Sequence, residues 1–309
     1  MGDPGMHSHA AERASRASTS HRGTIVLEEA SILAHDAHPG GQFVLRLEAP
    51  EIARRARPGS FVHLRCDPGL PMRRPMSLMR SSGSAVDILY KVHGRGTALL
   101  AGRLVGERLS VLGPIGRPFE VGDALRRPLL LGGGVGIPPM IFLAEHLRRR
   151  GDCAPLILLG SEIPFPFRPR PSAILLPGVP AGAIATMPLL EDWGLPCRLA
   201  SRAGLPGCFD GLVTELAGQW LDSLDAAALA EVEVFACGPM PMLRATARLA
   251  QARGLRCQVS LEEYMACAVG GCAGCAVEIT GPTGAAMKRV CVDGPVFDAA
   301  TVVFPPEAA

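Results

Sequence analysis

Cys267, Cys272, Cys275 and Cys291 stand in the spacing C-x4-C-x2-C-x15-C, the ligand pattern of a plant-type [2Fe-2S] cluster. Thiolates in that order can hold an inorganic core that passes single electrons. The neighbouring residues suit it. Gly270, Gly271 and Gly274, with Ala266, Ala268, Ala273 and Ala276, leave room for backbone to wrap a small core and turn NH groups toward its sulfurs. Zinc on the same four thiolates is the alternative, although zinc more often takes two compact C-x2-C knuckles than three ligands in one short loop.

A second candidate lies at Gly132, Gly133, Gly134, Val135 and Gly136, followed by Ile137, Pro138 and Pro139. It falls between an apolar run, Leu129–Leu131, and a helical pattern ending near Arg150 and Gly151. In that context glycines let backbone approach a pyrophosphate, and the helix start offers free NH groups and a favourable dipole. Pro138 and Pro139 fit a first helical turn. The run reads G-x-G-x-x-P rather than G-x-G-x-x-G, so a purely structural turn is the competing reading. Ser161 and Glu162 follow the next apolar run, Pro155–Leu159. A carboxylate there would accept a hydrogen bond from a ribose 2′-OH and repel a 2′-phosphate, favouring NAD over NADP; its plainer reading is a solvated loop side chain.

A third candidate is the run RRPMS, Arg73 to Ser77, with Tyr90, Lys91 and Val92 and then Gly94, Arg95, Gly96 and Thr97 further on. The Arg74 cation and the Ser77 hydroxyl could hold a phosphate and a ring edge. By spacing alone a solvated arginine pair explains them as well.

These sites need elements to hold them. A chain of 309 residues with 48% apolar composition can fill two or three cores. Residues 1–22 lack large apolar side chains and read as a disordered tail. From 23 to 124, short β-type runs (Thr24–Leu27, Gln42–Leu47, Ser60–Arg65, Val86–Val92, Arg108–Leu112) broken by Gly and Pro predict an antiparallel barrel. From 125 to 253, buried strands such as Val232–Ala236 alternate with helices such as Pro241–Arg253, predicting a doubly wound parallel sheet. From 254 to 309, strands around Val277–Thr280 and Arg289–Val292 flank the cysteine loop in a small module. The expected fold is therefore multidomain, β followed by α/β.

Ten cysteines are few for a secreted scaffold, and the six outside the candidate ligand set (Cys66, Cys153, Cys197, Cys208, Cys237 and Cys257) show no framework spacing, which points to a reducing cytoplasm rather than disulfides. No apolar stretch reaches the length of a membrane span, and no export signal stands at the N-terminus. A net charge of +2 without aromatic-interleaved basic clusters gives no case for nucleic acid or membrane binding.

The motifs occur in the order RRPMS, GRGTALL, GPIGRPF, GGGVGIPP and FACGPMPML. That order resembles the ferredoxin-reductase-like flavoprotein superfamily. With SLEEYMACAVGGCAGCAVEI and KRVCVDGPVFDA added, the chain resembles one subfamily of it, the electron-transfer subunits of class 1B dihydroorotate dehydrogenases. The resemblance implies a Greek-key barrel that binds FAD through Arg74, Pro75, Met76 and Ser77, with Leu89, Tyr90, Lys91, Gly96 and Thr97 as further contacts. It implies NAD along Gly133, Gly134, Gly136 and Pro138, with Cys237, Gly238 and Pro239 at a strand end near the nicotinamide. Cys237 is thereby a candidate catalytic residue, its alternative being a small buried core residue. The four cysteines carry over as cluster ligands.

The implied route runs from a partner catalytic subunit bearing FMN, through [2Fe-2S] and FAD, to NAD⁺, in a heterotetramer. No residues for dihydroorotate oxidation itself are found in this chain. The competing functions are a flavin subunit of an NAD(P)H:ferredoxin oxidoreductase, transhydrogenase or sulfhydrogenase-type complex, and a non-catalytic zinc-stapled module. The Pro-rich segment 164–180 and the N-terminal tail depart from the family pattern.

Overall fold

The computed structural model describes residue 23, residues 25–282 and residues 284–305; the expected tail over 1–22 lies outside them. Strands β1 (Val26–His38), β2 (Gln42–Glu48), β3 (Phe61–Leu64), β4 (Arg74–Ser82), β5 (Ala85–Lys91) and β6 (Arg108–Ile115) close into an antiparallel barrel in the order β1-β2-β5-β4-β3-β6. Leu45, Leu47, Val62, Leu64, Leu78 and Ile88 fill its interior, alternating with outward positions as the two-residue strand period requires. Two strands depart from the sequence reading. The run expected over Thr24–Leu27 is met by a strand that starts at Val26 and continues to His38, with an irregularity between Ile32 and Ala34. The arginine-proline motif is itself a strand, β4, with Pro75 at its second position, where a missing ladder donor does least harm.

The α/β part contains β7 (Arg127–Gly133), β8 (Leu156–Gly160), a two-residue ladder of β9 (Arg170–Pro171) with β10 (Ala185–Thr186), β11 (Cys197–Ala200), β12 (Val232–Cys237) and β13 (Arg256–Ser260). The main sheet runs β11-β8-β7-β12-β13 in parallel. Its strands are apolar throughout because both faces are covered. Leu129, Leu131, Leu156, Leu158, Val234 and Ala236 pack with side chains of the helices Val213–Asp222 and Met240–Gln251. Leu130, Ile157, Leu159, Phe235 and Cys237 pack on the helix Ile137–Arg150. That helix stops at Gly151, whose φ of 72° is the left-handed ending glycine adopts without strain. The chain leaves β7 toward β8 on one side and returns to β12 on the other, so the crevice between the C-terminal ends of β7 and β12 is a switch point where ligands bind.

Beyond the cysteine loop, β14 (Ala276–Gly281) and β15 (Gly284–Arg289) form a hairpin. The final strand, β16 (Val296–Asp298), then joins β13 antiparallel at the edge of the main sheet. The boundary expected at 253/254 therefore falls inside that sheet, with β13 and β16 on its C-terminal side. The strand expected over Arg289–Val292 is also corrected: β15 ends at Arg289, and Val290–Asp293 is a helical turn. The Asp293 carboxylate accepts the Arg289 NH at 2.8 Å, a local bond that competes with the ladder. The Pro-rich segment stacks Phe165 on Phe167 and is tied to the barrel where Gln42 Nε2 donates to the Pro164 carbonyl at 2.8 Å. Among the described residues no helix is long and apolar enough to cross a membrane.

Candidate functional site

The four candidate ligands arrive from two places: Cys267, Cys272 and Cys275 from the loop between β13 and β14, and Cys291 from the turn after β15. They meet as two pairs. Cys275 Sγ lies 3.4 Å from Cys291 Sγ, and the Cys272 thiol stands near enough to Cys267 to favour its thiolate. The first pair is buried; in the second, Cys272 is exposed and Cys267 half-buried. Among the described residues no three His, Cys, Asp or Glu groups converge to hold a single ion. Pairs of thiolates suit a core with two irons, each taking two protein ligands, better than one tetrahedral zinc.

Backbone does the rest of the work. Gly271 NH donates to Cys267 Sγ at 3.3 Å and Gly274 NH to Cys272 Sγ at 3.4 Å. Left-handed conformations at Ala268, Gly270 and Ala273 turn those NH groups inward. A Cβ on Gly274 would stand 3.6 Å from Cys272 Sγ. Burial opposes ionisation of Cys267, but NH donors from Val269, Cys272 and Gly271 and the Cys272 thiol outweigh it and bring the thiol down to about 6. Burial, with the adjacent Cys275, pushes Cys291 up to about 12; a bound metal would have to displace that proton.

Two residues missed in the sequence lock this loop. Arg289 Nη1 donates to the Gly270 carbonyl at 2.9 Å, and Asp293 takes the Arg289 backbone NH. Their signal was present as an i, i+4 opposite-charge pair placed symmetrically about Cys291.

In the barrel, Arg74 lies across Gly96 at the start of the helix Gly94–Ala101: a Cβ on Gly96 would stand 2.9 Å from Arg74 Nε. Thr97 Oγ1 accepts the His93 NH at 2.6 Å. Arg74, Gly96 and Thr97 thus form one corner with a cation and a helix N-terminus, a fitting seat for a diphosphate. Pro75 and Ser77 face outward beside it. Met76 and Tyr90 do not: both side chains fill the barrel interior. The Tyr90 hydroxyl is engaged by His35 Nε2 at 2.9 Å, and its ring stacks on Phe43. Those two positions can serve a ligand through backbone only. Leu89 packs between barrel and sheet, and Lys91 is exposed at the end of β5, the strand that meets the Gly134–Gly136 turn.

At the switch point the expected residues do come together. A Cβ on Gly136 would stand 2.3 Å from the Cys237 carbonyl, and one on Gly133 3.2 Å from Pro239 Cδ. Gly134, with a φ of 54° and open space around it, faces the crevice, and Pro138 is buried in the first turn of the helix. Gly238 continues the β12 end against Gly133. The catalytic role expected of Cys237 is corrected: its side chain is fully buried, and burial together with the Glu262 charge pushes the thiol far above its ordinary range, so it packs rather than reacts. Glu162, after β8, pairs with Arg202 at 3.5 Å, both side chains being more than half exposed.

A closed barrel abutting a doubly wound nucleotide sheet, with a four-thiol loop at its side, defines the class of ferredoxin-reductase-like electron-transfer proteins. The structure of an NADH-dependent reduced ferredoxin-NADP oxidoreductase shares the fold with a TM-score of 0.72 over 90% of each chain at 24% identity. Phthalate dioxygenase reductase does so at 0.55 over 84% of this chain and 88% of its own, at 14% identity. Residues 262–303 match the iron-sulfur cluster binding domain of dihydroorotate dehydrogenase B. The electron transfer subunit of dihydroorotate dehydrogenase B (NAD(+)) from Bacillus caldolyticus is 35% identical over 270 residues, 85% of this chain and 93% of its own. That from Caldanaerobacter subterraneus subsp. tengcongensis is 32% identical over 251 residues, 81% and 89% respectively. The chain belongs to the family of dihydroorotate dehydrogenase B electron transfer subunits.

Proposed function

We propose that this chain is the electron transfer subunit of an NAD-dependent dihydroorotate dehydrogenase, receiving electrons from an FMN-bearing catalytic partner and delivering them to NAD⁺. The observation that carries the reading is the pairing of Cys267 with Cys272 and of Cys275 with Cys291, seated against the barrel. Phe61 of β3 packs in the same apolar cluster as Cys275 and Cys291, two residues from His63, which pairs with Pro75 of β4.

The bound groups would supply the chemistry: a [2Fe-2S] core takes and gives single electrons, FAD converts these to a hydride, and NAD⁺ accepts it. The chain supplies position and electrostatics. Gly271 and Gly274 donate NH groups to ligand sulfurs, which sets potential. Arg74 and the Gly94–Thr97 helix start would hold the flavin diphosphate, with Pro75 and Ser77 beside them on the outer face of β4. Gly133, Gly134, Gly136 and Pro138 form the dinucleotide cleft with Gly238 and Pro239, and Glu162 disfavours a 2′-phosphate.

The partner completes a heterotetramer in the cytoplasm, a location supported by ten unbridged cysteines. The domains fall as 23–124 for flavin, 125–253 for NAD and 254–309 for the cluster, with β13 and β16 shared between the last two. Purified protein should carry about two irons and about one FAD per chain, and NADH should bleach both chromophores. Protein holding zinc and no flavin would overturn the proposal.

A further inference from the structure

The helix Ile137–Arg150 starts at the glycine turn of the nucleotide cleft, and β4 starts at Arg74 of the flavin corner. The two elements are packed together: Phe142 of the helix belongs to the barrel's apolar cluster, and Met79 of β4 to the cluster between helix and sheet. The register of β4 against β5 slips between Leu78 and Arg80, a bulge of the kind that re-aims side chains. Across the joint, Arg80 Nη2 donates to Glu145 Oε1 at 3.0 Å, and Arg149 Nη2 donates to the same oxygen at 3.0 Å. The Arg80 guanidinium also lies over the Trp193 ring, 5.1 Å from its centroid. Glu145 is buried. Replacing a buried ion pair by apolar side chains of similar volume is often neutral or stabilising, so stability alone does not account for a carboxylate here. What an ion pair adds is direction. This one is also incomplete: Glu145 Oε2 and Arg80 Nε are both buried without a hydrogen-bond partner among the described residues. A side-on arginine–carboxylate fork uses Nη2 and Nε on the two oxygens, so the atoms left over are the ones a second bond needs.

We propose that Glu145 is a positioning residue for hydride transfer: through Arg80 it sets the nucleotide helix against the flavin strand, and the pair closes from one bond to a two-bond fork when a dinucleotide fills the cleft. This rests on the functional reading above. The lever arms are short. Glu145 stands about 12 Å along the helix from Ile137 at the helical rise, and Arg80 about 10 Å along β4 from Ser77. A small movement at the pair is therefore passed on to the glycine turn on one side and to the flavin strand on the other. The dinucleotide gains contacts when the two walls of the cleft approach, and that difference in affinity is what shifts the joint.

The test uses the loaded protein. Rapid mixing with increasing NADH gives the limiting rate of flavin bleaching and the half-saturating concentration. Titration with NAD⁺ gives the perturbation of the oxidised flavin spectrum, which reports the nucleotide beside the flavin without turnover. Arg80→Lys keeps the charge and one bond but cannot fork. Glu145→Leu combined with Arg80→Met replaces the pair by apolar side chains. In both proteins, with FAD and iron retained, the limiting rate should fall about tenfold while half-saturation stays within about threefold. The NAD⁺ perturbation should shrink about twofold or more. The double variant should nevertheless melt at or above the wild-type temperature, where a merely structural pair would leave its rate intact. A wild-type limiting rate in either protein overturns the inference, as does a wild-type NAD⁺ perturbation in both. Joint loss of rate and melting temperature in both marks a structural role and overturns it too. If the double variant does not fold, Arg80→Lys decides alone. Wild-type flavin that NADH does not bleach would sink the functional reading itself, an outcome neither variant imitates.

Discussion

Gly136→Ala tests whether the glycine turn and the end of β12 work as one cleft. A Cβ there would stand 2.3 Å from the carbonyl carbon and oxygen of Cys237 and 2.4 Å from Gly238 N. All are backbone atoms, so no side chain can rotate aside. Reaching an ordinary contact of 3.4 Å moves the turn away from the strand by about 1 Å, and overpacking of this kind costs about 1–3 kcal/mol. The φ of Gly136 is −84°, which alanine adopts freely, so the clash is the whole perturbation. Misplacing a reacting group by about 1 Å costs on the order of 100-fold in rate.

Gly134 is the converse control: its φ is +54° and nothing stands within 4 Å of an added Cβ. Gly134→Ala adds about 1 kcal/mol of left-handed strain without displacement. Rapid-mixing measurement of flavin reduction by NADH separates the two. Gly136→Ala should fall by on the order of 100-fold with flavin and cluster absorption retained, and Gly134→Ala should stay within about fivefold. A Gly136→Ala protein that reduces its flavin at the wild-type rate would refute a nicotinamide site at this junction.

Cys272→Ser should abolish cluster absorption while FAD is retained, because the thiol loop and the Arg74 corner are separate sites; ligand loss without spectral change would refute the pairing. Glu162→Gln should release Arg202 from its 3.5 Å pair to meet a 2′-phosphate, shifting the NADPH-to-NADH preference of flavin reduction by about tenfold; an unchanged ratio places the ribose elsewhere. For His63 the ordinary value of 6.5 falls to about 4 in the fold. The unfolded chain therefore binds the proton first, so stability is complete above about 6.5 and lost as pH falls toward 4, by up to about 3 kcal/mol. Denaturation of wild type and His63→Gln from pH 7 to 4 should show a shallower slope for the variant; parallel slopes would mean His63 charges freely.

Much of the fold was legible because punctuation and period agree. Gly and Pro bound every barrel strand, and the strand-turn-helix at Leu129–Arg150 carries its own start and stop signals. β4 was hidden because Pro75 breaks a strand pattern unless it stands near the strand's first residue. The turn at Val290–Asp293 was hidden because its cause is one side chain reaching back to Arg289. The four candidate ligands stand out by spacing, since a covalent ligand set fixes residue type and reach together. Side-chain direction could not: Met76, Tyr90 and Cys237 sit in the right segments yet point into cores, which follows from strand register rather than from motif. His63 carried no signal at all, because its burial follows from the pairing of β3 with β4 rather than from any motif.

The most direct measurement is reconstitution of the loaded chain with a dihydroorotate dehydrogenase B catalytic subunit, followed by dihydroorotate-dependent formation of NADH at 340 nm. A stable complex that reduces NAD⁺ with dihydroorotate is expected, with loss of that activity in Cys272→Ser while NADH still reduces the flavin. No association, or NADH formation that persists without the cluster, would contradict it.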